Sequence, residues 1–113
     1  LSQYDWSPPV DIYETTDGIV LKTELPGINK ADVSVEVKDN VLTLKGERLL
    51  DPKIKDDQYY RKERNFGKFN RSFSLQEPVK PDLIKASLKN GVLTLEVPRP
   101  EEEKSKQVTV DID

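Results

Sequence analysis

The side chains that could do chemistry in this sequence are carboxylates, amines, guanidiniums and hydroxyls, because the chain contains no histidine and no cysteine. The commonest general base, the thiol nucleophile and the soft metal ligands are therefore missing. The densest carboxylates are Asp56-Asp57 and residues 101–103, and both runs lie in polar stretches. A catalytic carboxylate needs an apolar pocket, so we interpret these runs as solvated loops. The five glycines are scattered singly and form no phosphate-binding loop. We expect no enzyme, no metal and no cofactor.

Charge and composition also restrict the classes of partner. The 113 residues carry 21 acidic and 18 basic side chains, and the net charge of −3 is mixed in sign along the chain. A nucleic-acid surface needs a clustered basic face and a membrane anchor needs a polybasic run, so we expect neither partner. No stretch approaches the roughly 18 apolar residues of a membrane span, and no signal peptide is visible. The lack of cysteine permits a reducing compartment, and we expect a cytoplasmic protein.

One cation stands among apolar residues. Arg71 has the same strand parity as Phe69, Phe73 and Leu75, so it points to the face that these apolar side chains occupy. An arginine at a strand edge can extend its charged end into solvent. Alternatively, the guanidinium is held at an interface and paired with Asp or Glu, whose carboxylate it can bind through two hydrogen bonds. The sequence leaves both interpretations open.

The elements that position these residues are strands, because apolar and polar residues alternate with a period of two. The predicted strands are 10–14, 19–25, 33–37, 41–47, 69–75, 83–89 and 92–97. Tight turns are predicted at Asp39-Asn40 and at Asn90-Gly91, which favour left-handed dihedrals. Helical signals are limited to a turn at Ala31-Asp32 and another at residues 81–83. Eight prolines and many short strands predict an all-β sandwich.

One further strand-like segment, residues 59–64, follows a polar loop at 50–58. A strand carried on a long polar loop is poorly anchored to its own sheet. It could pair with the edge of a second chain and give a strand-exchanged dimer. It could equally be an ordinary mobile hairpin whose charges keep it soluble.

The C-terminus ends in an apolar strand-like tip. Residues 99–107 are polar, and when extended they span roughly 30 Å. After this tether, Val108, Val110 and Ile112 point the same way. The tip is either a last strand of its own sheet or a plug that enters a groove on another copy by strand addition. Two sets of alternating residues, which could also be simple core, are the candidate groove walls: Val33, Val35 and Val37 on one strand, and Ile84, Ala86 and Leu88 on another.

Several short motifs are specific as a set, through their order and spacing. The longest runs from Ala86 to Pro98 and contains Asn90-Gly91-Val92-Leu93. The others are Leu-Pro-Gly at 25–27, Gly-Glu-Arg at 46–48, Glu-Arg at 63–64 and the run Phe-Gly-Lys-Phe-Asn-Arg-Ser-Phe-Ser-Leu at 66–75. With these motifs, residues 9–112 resemble the α-crystallin domain of small heat shock proteins, in the bacterial and plant-like branch. Val108-Thr109-Val110 is similar to the C-terminal I/V-x-I/V motif of that family.

The resemblance implies an immunoglobulin-like β-sandwich of two antiparallel sheets, with a strand-bearing loop and a C-terminal extension. It divides the chain into a remnant of the N-terminal arm at 1–8, the α-crystallin domain at 9–98 and the extension at 99–113. The chain starts at Leu1 and lacks Met, which indicates that a preceding segment was removed. The implied activity is ATP-independent holding of unfolding proteins, which are the implied client partners.

The resemblance also implies how copies assemble. The strand around 59–64 would pair with the partner's first strand to make a homodimer, and the C-terminal motif would dock in the groove to make larger homo-oligomers. The residues implied for the dimer interface are Val10, Ile12, Tyr13, Tyr59, Tyr60, Arg61, Glu63, Arg64 and Arg71, the last matching the interface arginine of the family. The groove residues and the plug residues Val108, Val110 and Ile112 are those named above.

The sequence departs from the family pattern in places. Gln76 stands where many members have Pro, and valine occupies both positions of the C-terminal motif where isoleucine is common. A smaller plug fills less volume, at about 0.8 kcal/mol for each lost methylene. The register of the plug could instead be Val110-Asp111-Ile112. The alternative function is a co-chaperone binding module of the CS-domain type, which would be monomeric in sedimentation.

Overall fold

The computed structural model describes residues 4–99 together with Val110 and Ile112. Over these residues the chain forms seven β-strands and three short 3-10 helices, and it contains no α-helix there. The strands are β1 (Val10–Glu14), β2 (Gly18–Glu24), β3 (Val33–Lys38), β4 (Val41–Arg48), β5 (Gly67–Ser74), β6 (Lys85–Lys89) and β7 (Val92–Pro98). The 3-10 helices are Lys30–Asp32, Asp56–Gln58 and Pro81–Leu83.

The strands form two antiparallel sheets. One sheet has four strands in the order β1-β2-β7-β6, and the other has three in the order β3-β4-β5. The predicted sandwich is thereby confirmed. Four strands lie at sheet edges, namely β1 and β6 in the larger sheet and β3 and β5 in the smaller one. Each edge leaves one row of backbone groups free for further pairing.

The two predicted turns are confirmed, and local geometry explains them. Asp39 and Asn40 have φ values of 50° and 63°, and Asn90 and Gly91 have values of 54° and 76°. Both central residues of each turn are left-handed, as the twist of a two-residue hairpin requires. The turn between β3 and β4 is also tied to the end of β5, because the backbone N–H of Leu75 donates to the carbonyl of Asn40 over 2.9 Å.

The core lies between the two sheets and is built from every second residue of the inner strands. Leu21 on β2 is directly opposite Leu95 on β7, and both are almost fully buried. The buried apolar cluster consists of Leu21, Leu25, Ile28, Leu42, Leu44, Phe69, Leu93, Leu95 and Val97. Each such side chain contributes about 1.5–3 kcal/mol by leaving water, so the two-residue period is strongly enforced.

The single chain differs from the sequence prediction in two places. Residues 59–64 form no strand, because strand structure needs a neighbouring strand to receive its hydrogen bonds and this segment has none among the described residues. The strand predicted to start at Leu83 starts at Lys85, since the proline at 81 begins a 3-10 helix instead. Val108 lies outside the described residues, and so does most of the predicted extension.

Candidate protein-binding edges

The first candidate site is the free edge of β1. Ile12 is paired in register with the buried Leu21, so its side chain is on the core-facing side of the sheet. It nevertheless remains 44% exposed, as does Tyr13 on the opposite face. The exposure of a core-facing residue arises because the sheet ends at β1 and no further strand covers it. Val10, the third predicted residue of this edge, is half-buried and packs against the core.

The second candidate site is the loop between β4 and β5, which contains all the other predicted dimer residues except Arg71 on β5. Its backbone-to-backbone hydrogen bonds join residues three apart, such as Tyr59 to Asp56 at 3.3 Å, and none of those described pairs residues 59–64 with a strand. Arg61 pairs with Glu63 at 2.9 Å, with both side chains mostly exposed. Tyr60 is fully exposed and Arg64 is exposed. The loop therefore presents its side chains outward without pairing its backbone.

Arg71 bonds to a backbone carbonyl, and not to the carboxylate that one of its two interpretations proposed. Its Nη1 atom donates a hydrogen bond of 2.7 Å to the carbonyl oxygen of Pro8, and its guanidinium carbon lies 5.2 Å from the ring centroid of Phe73. Within the described part of the chain, no salt bridge joins Arg71 to an acid. Its predicted role at a dimer interface stays a prediction.

A buried guanidinium, which the sequence reasoning missed, lies near the loop. Arg48 is only 8% exposed, donates from Nη1 to the carbonyl of Asn65 over 2.7 Å, and stacks over Trp6 with its guanidinium carbon 4.6 Å from the ring centroid. Its Nε atom has no hydrogen-bond partner. Burial, and to a lesser degree the cation of Arg64, lower the pKa of Arg48. Arg48 shares strand parity with Leu44, which is the signal that could have revealed it.

The N-terminal residues are held against β5 by this cluster. The backbone N–H of Asp5 donates to the carbonyl of Lys68 over 2.8 Å, and the carboxylate of Asp5 accepts from the N–H of Lys68 over the same distance. The ring of Trp6 meets Phe69 edge-on at 5.3 Å between centroids, and its Nε1 donates to the carbonyl of Gly67. Residues 5–8 therefore pack on the domain.

The predicted groove residues lie on edge strands of different sheets. Val33, Val35 and Val37 on β3 are half-buried and pack against the core. Ile84, just before β6, and Leu88, on β6, are also half-buried and pack against the core. Ala86 on β6 is exposed. Val110 and Ile112 are 80% and 96% exposed, so neither fills a groove on its own chain. The groove and the plug therefore remain predictions.

A cavity that the sequence did not predict lies beside β1. It has a volume of about 300 Å³ and lies between β1 and the end of β5. Its apolar walls include Ile12, Phe73 and Leu75. At its rim, the guanidinium of Arg99 lies 3.7 Å from the carboxylate of Glu14 and 3.4 Å from that of Glu77.

The described residues offer no candidate for two other kinds of site. They contain no group of three or more Asp and Glu side chains placed to hold a metal ion. They also contain no helix with the length and apolar character needed to cross a membrane.

Comparisons with known proteins agree with the fold. The family model for the Hsp20/alpha crystallin family matches residues 11–113. The chain is 47% identical over 105 residues to a 17.8 kDa class I heat shock protein of Arabidopsis thaliana, covering 92% of this chain and 67% of that protein. It is 46% identical over 107 residues to an 18.2 kDa class I heat shock protein of Medicago sativa, covering 94% of this chain and 68% of that protein.

Solved structures of heat shock proteins also resemble this chain. Heat shock protein 16.0 from Schizosaccharomyces pombe superposes with a TM-score of 0.78 at 32% identity, covering 96% of this chain and 97% of that one. A small heat-shock protein from Xylella fastidiosa superposes with a TM-score of 0.77 at 34% identity, covering 96% of this chain and 94% of that one. These relatives support a chaperone function, and none of them favours the CS-domain alternative. The chain belongs to the Hsp20/alpha crystallin family.

Proposed function

We propose that this protein is an ATP-independent chaperone that holds unfolding proteins and prevents their aggregation, and that it works as an oligomer built from dimers. Family membership is the observation that carries the proposal. The physical basis is the set of free strand edges, because an unfolding client exposes both apolar side chains and unpaired backbone groups. A free edge beside an apolar surface provides partners for both.

The dimer would form when residues 59–64 of one copy pair with β1 of the other. Two observations support this arrangement. The backbone of the segment is not paired with a sheet in the single chain, and β1 has an unpaired edge. The charges also match, because β1 carries two acids and no base, whereas the segment carries three bases and one acid. Opposite charges steer the two copies together and favour the correct pairing.

Higher assembly would come from the C-terminal motif. The plug at Val108 and Val110, or at Val110 and Ile112, would dock between β3 and β6 of another copy. Each contact is small, but several tethered contacts per assembly raise the effective affinity strongly. Release of a plug would expose the same groove to a client. We place this activity in the cytoplasm, which imaging of the tagged protein in cells would check.

A direct test of holding uses the B chain of insulin, which aggregates when its disulfides are reduced. This protein contains no cysteine, so the reductant leaves it unchanged. We expect it to suppress the light scattering of the B chain without ATP. An equal mass of an unrelated cysteine-free protein should not. Scattering equal to that control would refute the proposed holding activity.

The assembly is tested by measuring the mass in solution with and without residues 108–113. We expect the shortened chain to be a dimer, which assigns dimerisation to the domain. The chain with Val108→Gly and Val110→Gly should behave like the shortened one. A monomer in all cases would contradict the strand-exchanged dimer. An unchanged size of a larger oligomer after the double substitution would contradict the role of the plug.

A further inference from the structure

We propose that the cavity beside β1 receives the side chain of Tyr60 from a second copy of this chain, so that an aromatic anchor as well as strand pairing fixes the dimer. The proposal rests on the proposed function, since it requires the loop of one copy to lie along β1 of the other. It adds a specific pocket, a specific side chain and a measurable contribution to the affinity of the two copies.

The pocket is apolar and lies where an added strand would cover it. Its volume is about 300 Å³, and its walls come from both sheets, with Ile12 and Ile19 on one side and Phe73 and Leu75 on the other. Ile12 is the core-facing residue that the sheet leaves 44% exposed. A strand paired outside β1 would place its own core-facing side chain next to Ile12, at this cavity.

The incoming segment carries an aromatic ring on either face. Side chains alternate along a strand, so in any register that brings Tyr59 and Tyr60 beside Ile12, one of the two rings faces the cavity. Tyr59 is already half-buried in its own chain, with the amine of Lys62 4.9 Å from its ring centroid. Tyr60 is fully exposed and makes none of the described ring contacts. Tyr60 therefore has the ring that is available to enter the cavity of a second copy.

The charges around the cavity agree with this orientation. A strand with Tyr60 facing the cavity also turns Lys62 and Arg64 to that side, because they share its parity. Glu14 lies at the rim, on the same face of β1 as Ile12, and its side chain is 78% exposed. Two cations would thus approach an acidic rim. The opposite orientation would instead bring Arg61 and Glu63, that is one cation and one acid, to this side.

A tyrosine suits such a pocket physically. Its ring buries a large apolar area with few rotatable bonds, while its hydroxyl can stay at the wet rim. Buried aromatic anchors near the centre of an interface account for much of the affinity of protein complexes. In the single chain, the ring of Tyr60 is in water, and none of the described side chains fills the pocket.

The test compares dimer dissociation constants by sedimentation equilibrium. Tyr60→Ala should weaken the dimer about 30-fold, the loss typical of an aromatic hot spot. Tyr60→Phe should stay within about 3-fold of the original chain, because the ring is retained. Tyr59→Ala is the matched control and should weaken it far less than Tyr60→Ala. Tyr60 is fully exposed in the single chain, so its replacement should leave the unfolding curve unchanged.

A second measurement locates the ring directly. A chain with p-benzoylphenylalanine in place of Tyr60 is mixed with an isotope-labelled chain and irradiated. We expect cross-links to labelled peptides that contain Ile12, Phe73 or Val79, and none from the same probe at Tyr59. A dimer that forms normally but is unaffected by Tyr60→Ala, or cross-links elsewhere, overturns the pocket and leaves the dimer standing. A chain that is monomeric throughout overturns both.

Discussion

The guanidinium of Arg71 donates a hydrogen bond of 2.7 Å to the backbone carbonyl of Pro8, and this bond joins the smaller sheet to the segment that leads into the larger one. Arg71 lies on β5 of the three-stranded sheet, and Pro8 lies two residues before β1 of the four-stranded sheet. Pro8 is fully buried. The cation that the sequence marked as an interface residue therefore already holds the start of β1 in place within one chain.

Arg71→Met should destabilise the single domain. The carbonyl of Pro8 would lose its charged donor while remaining buried, which costs about 1.5–3 kcal/mol. Urea unfolding followed by circular dichroism measures this loss. Arg61→Met is the matched control, because Arg61 is mostly exposed and pairs only with the exposed Glu63, so it should cost less than about 1 kcal/mol. Equal losses in the two variants would show that the bond to Pro8 is not the source of stability.

Arg48 should tolerate methionine better than lysine. Burial lowers its pKa, so the charge is less favourable in the fold than in water. Methionine keeps contact with Trp6 and removes the buried charge, whereas lysine keeps the charge and loses the flat stack. We expect Arg48→Lys to lower the free energy of unfolding by about 1.5–3 kcal/mol, and Arg48→Met by less. The fluorescence of Trp6, the single tryptophan, follows the unfolding of both variants. The reverse order would contradict this account.

Gly46→Ala should disturb the packing of the smaller sheet. A Cβ atom at this position would lie 2.5 Å from the carbonyl oxygen of Asp32 and 2.8 Å from Cζ of Phe69. Such overpacking typically costs about 1–3 kcal/mol. The matched control is Lys45→Ala, since Lys45 is exposed and its pair with Glu36 at 3.4 Å is of the weak surface kind. Thermal unfolding should separate the two variants clearly, and coincident curves would argue against the close approach.

Arg99→Gln should loosen β1 without unfolding the domain. The guanidinium joins Glu14 at the end of β1 to Glu77 on the other side of the cavity, yet both acids are substantially exposed. The loss in stability should therefore stay near or below 1 kcal/mol. Hydrogen exchange should become faster at β1 and remain unchanged at β4, which is the internal reference. Unaltered exchange at β1 would exclude a tethering role for Arg99.

Much of the fold follows from local pattern. The turn at Asp39-Asn40 was predicted because these residue types tolerate left-handed dihedrals, and both adopt them. The strand predicted at residues 10–14 has the same bounds as β1, and the core-facing parity of Phe69 is borne out by its burial. Arg48 could have been found by the same parity, whereas the strand predicted at 59–64 does not form in the single chain.

Sequence alone determined most of the strands, the two tight turns and the apolar face of the inner strands, because these properties depend on neighbours along the chain. Tertiary structure alone decided that Arg71 bonds to Pro8, that Arg48 stacks on Trp6, and that a cavity opens beside Ile12. Arg71 and Pro8 are 63 residues apart in sequence. Alternation along a strand fixes the face of the sheet on which a side chain lies. The residues that it contacts there depend on how the two sheets pack against each other.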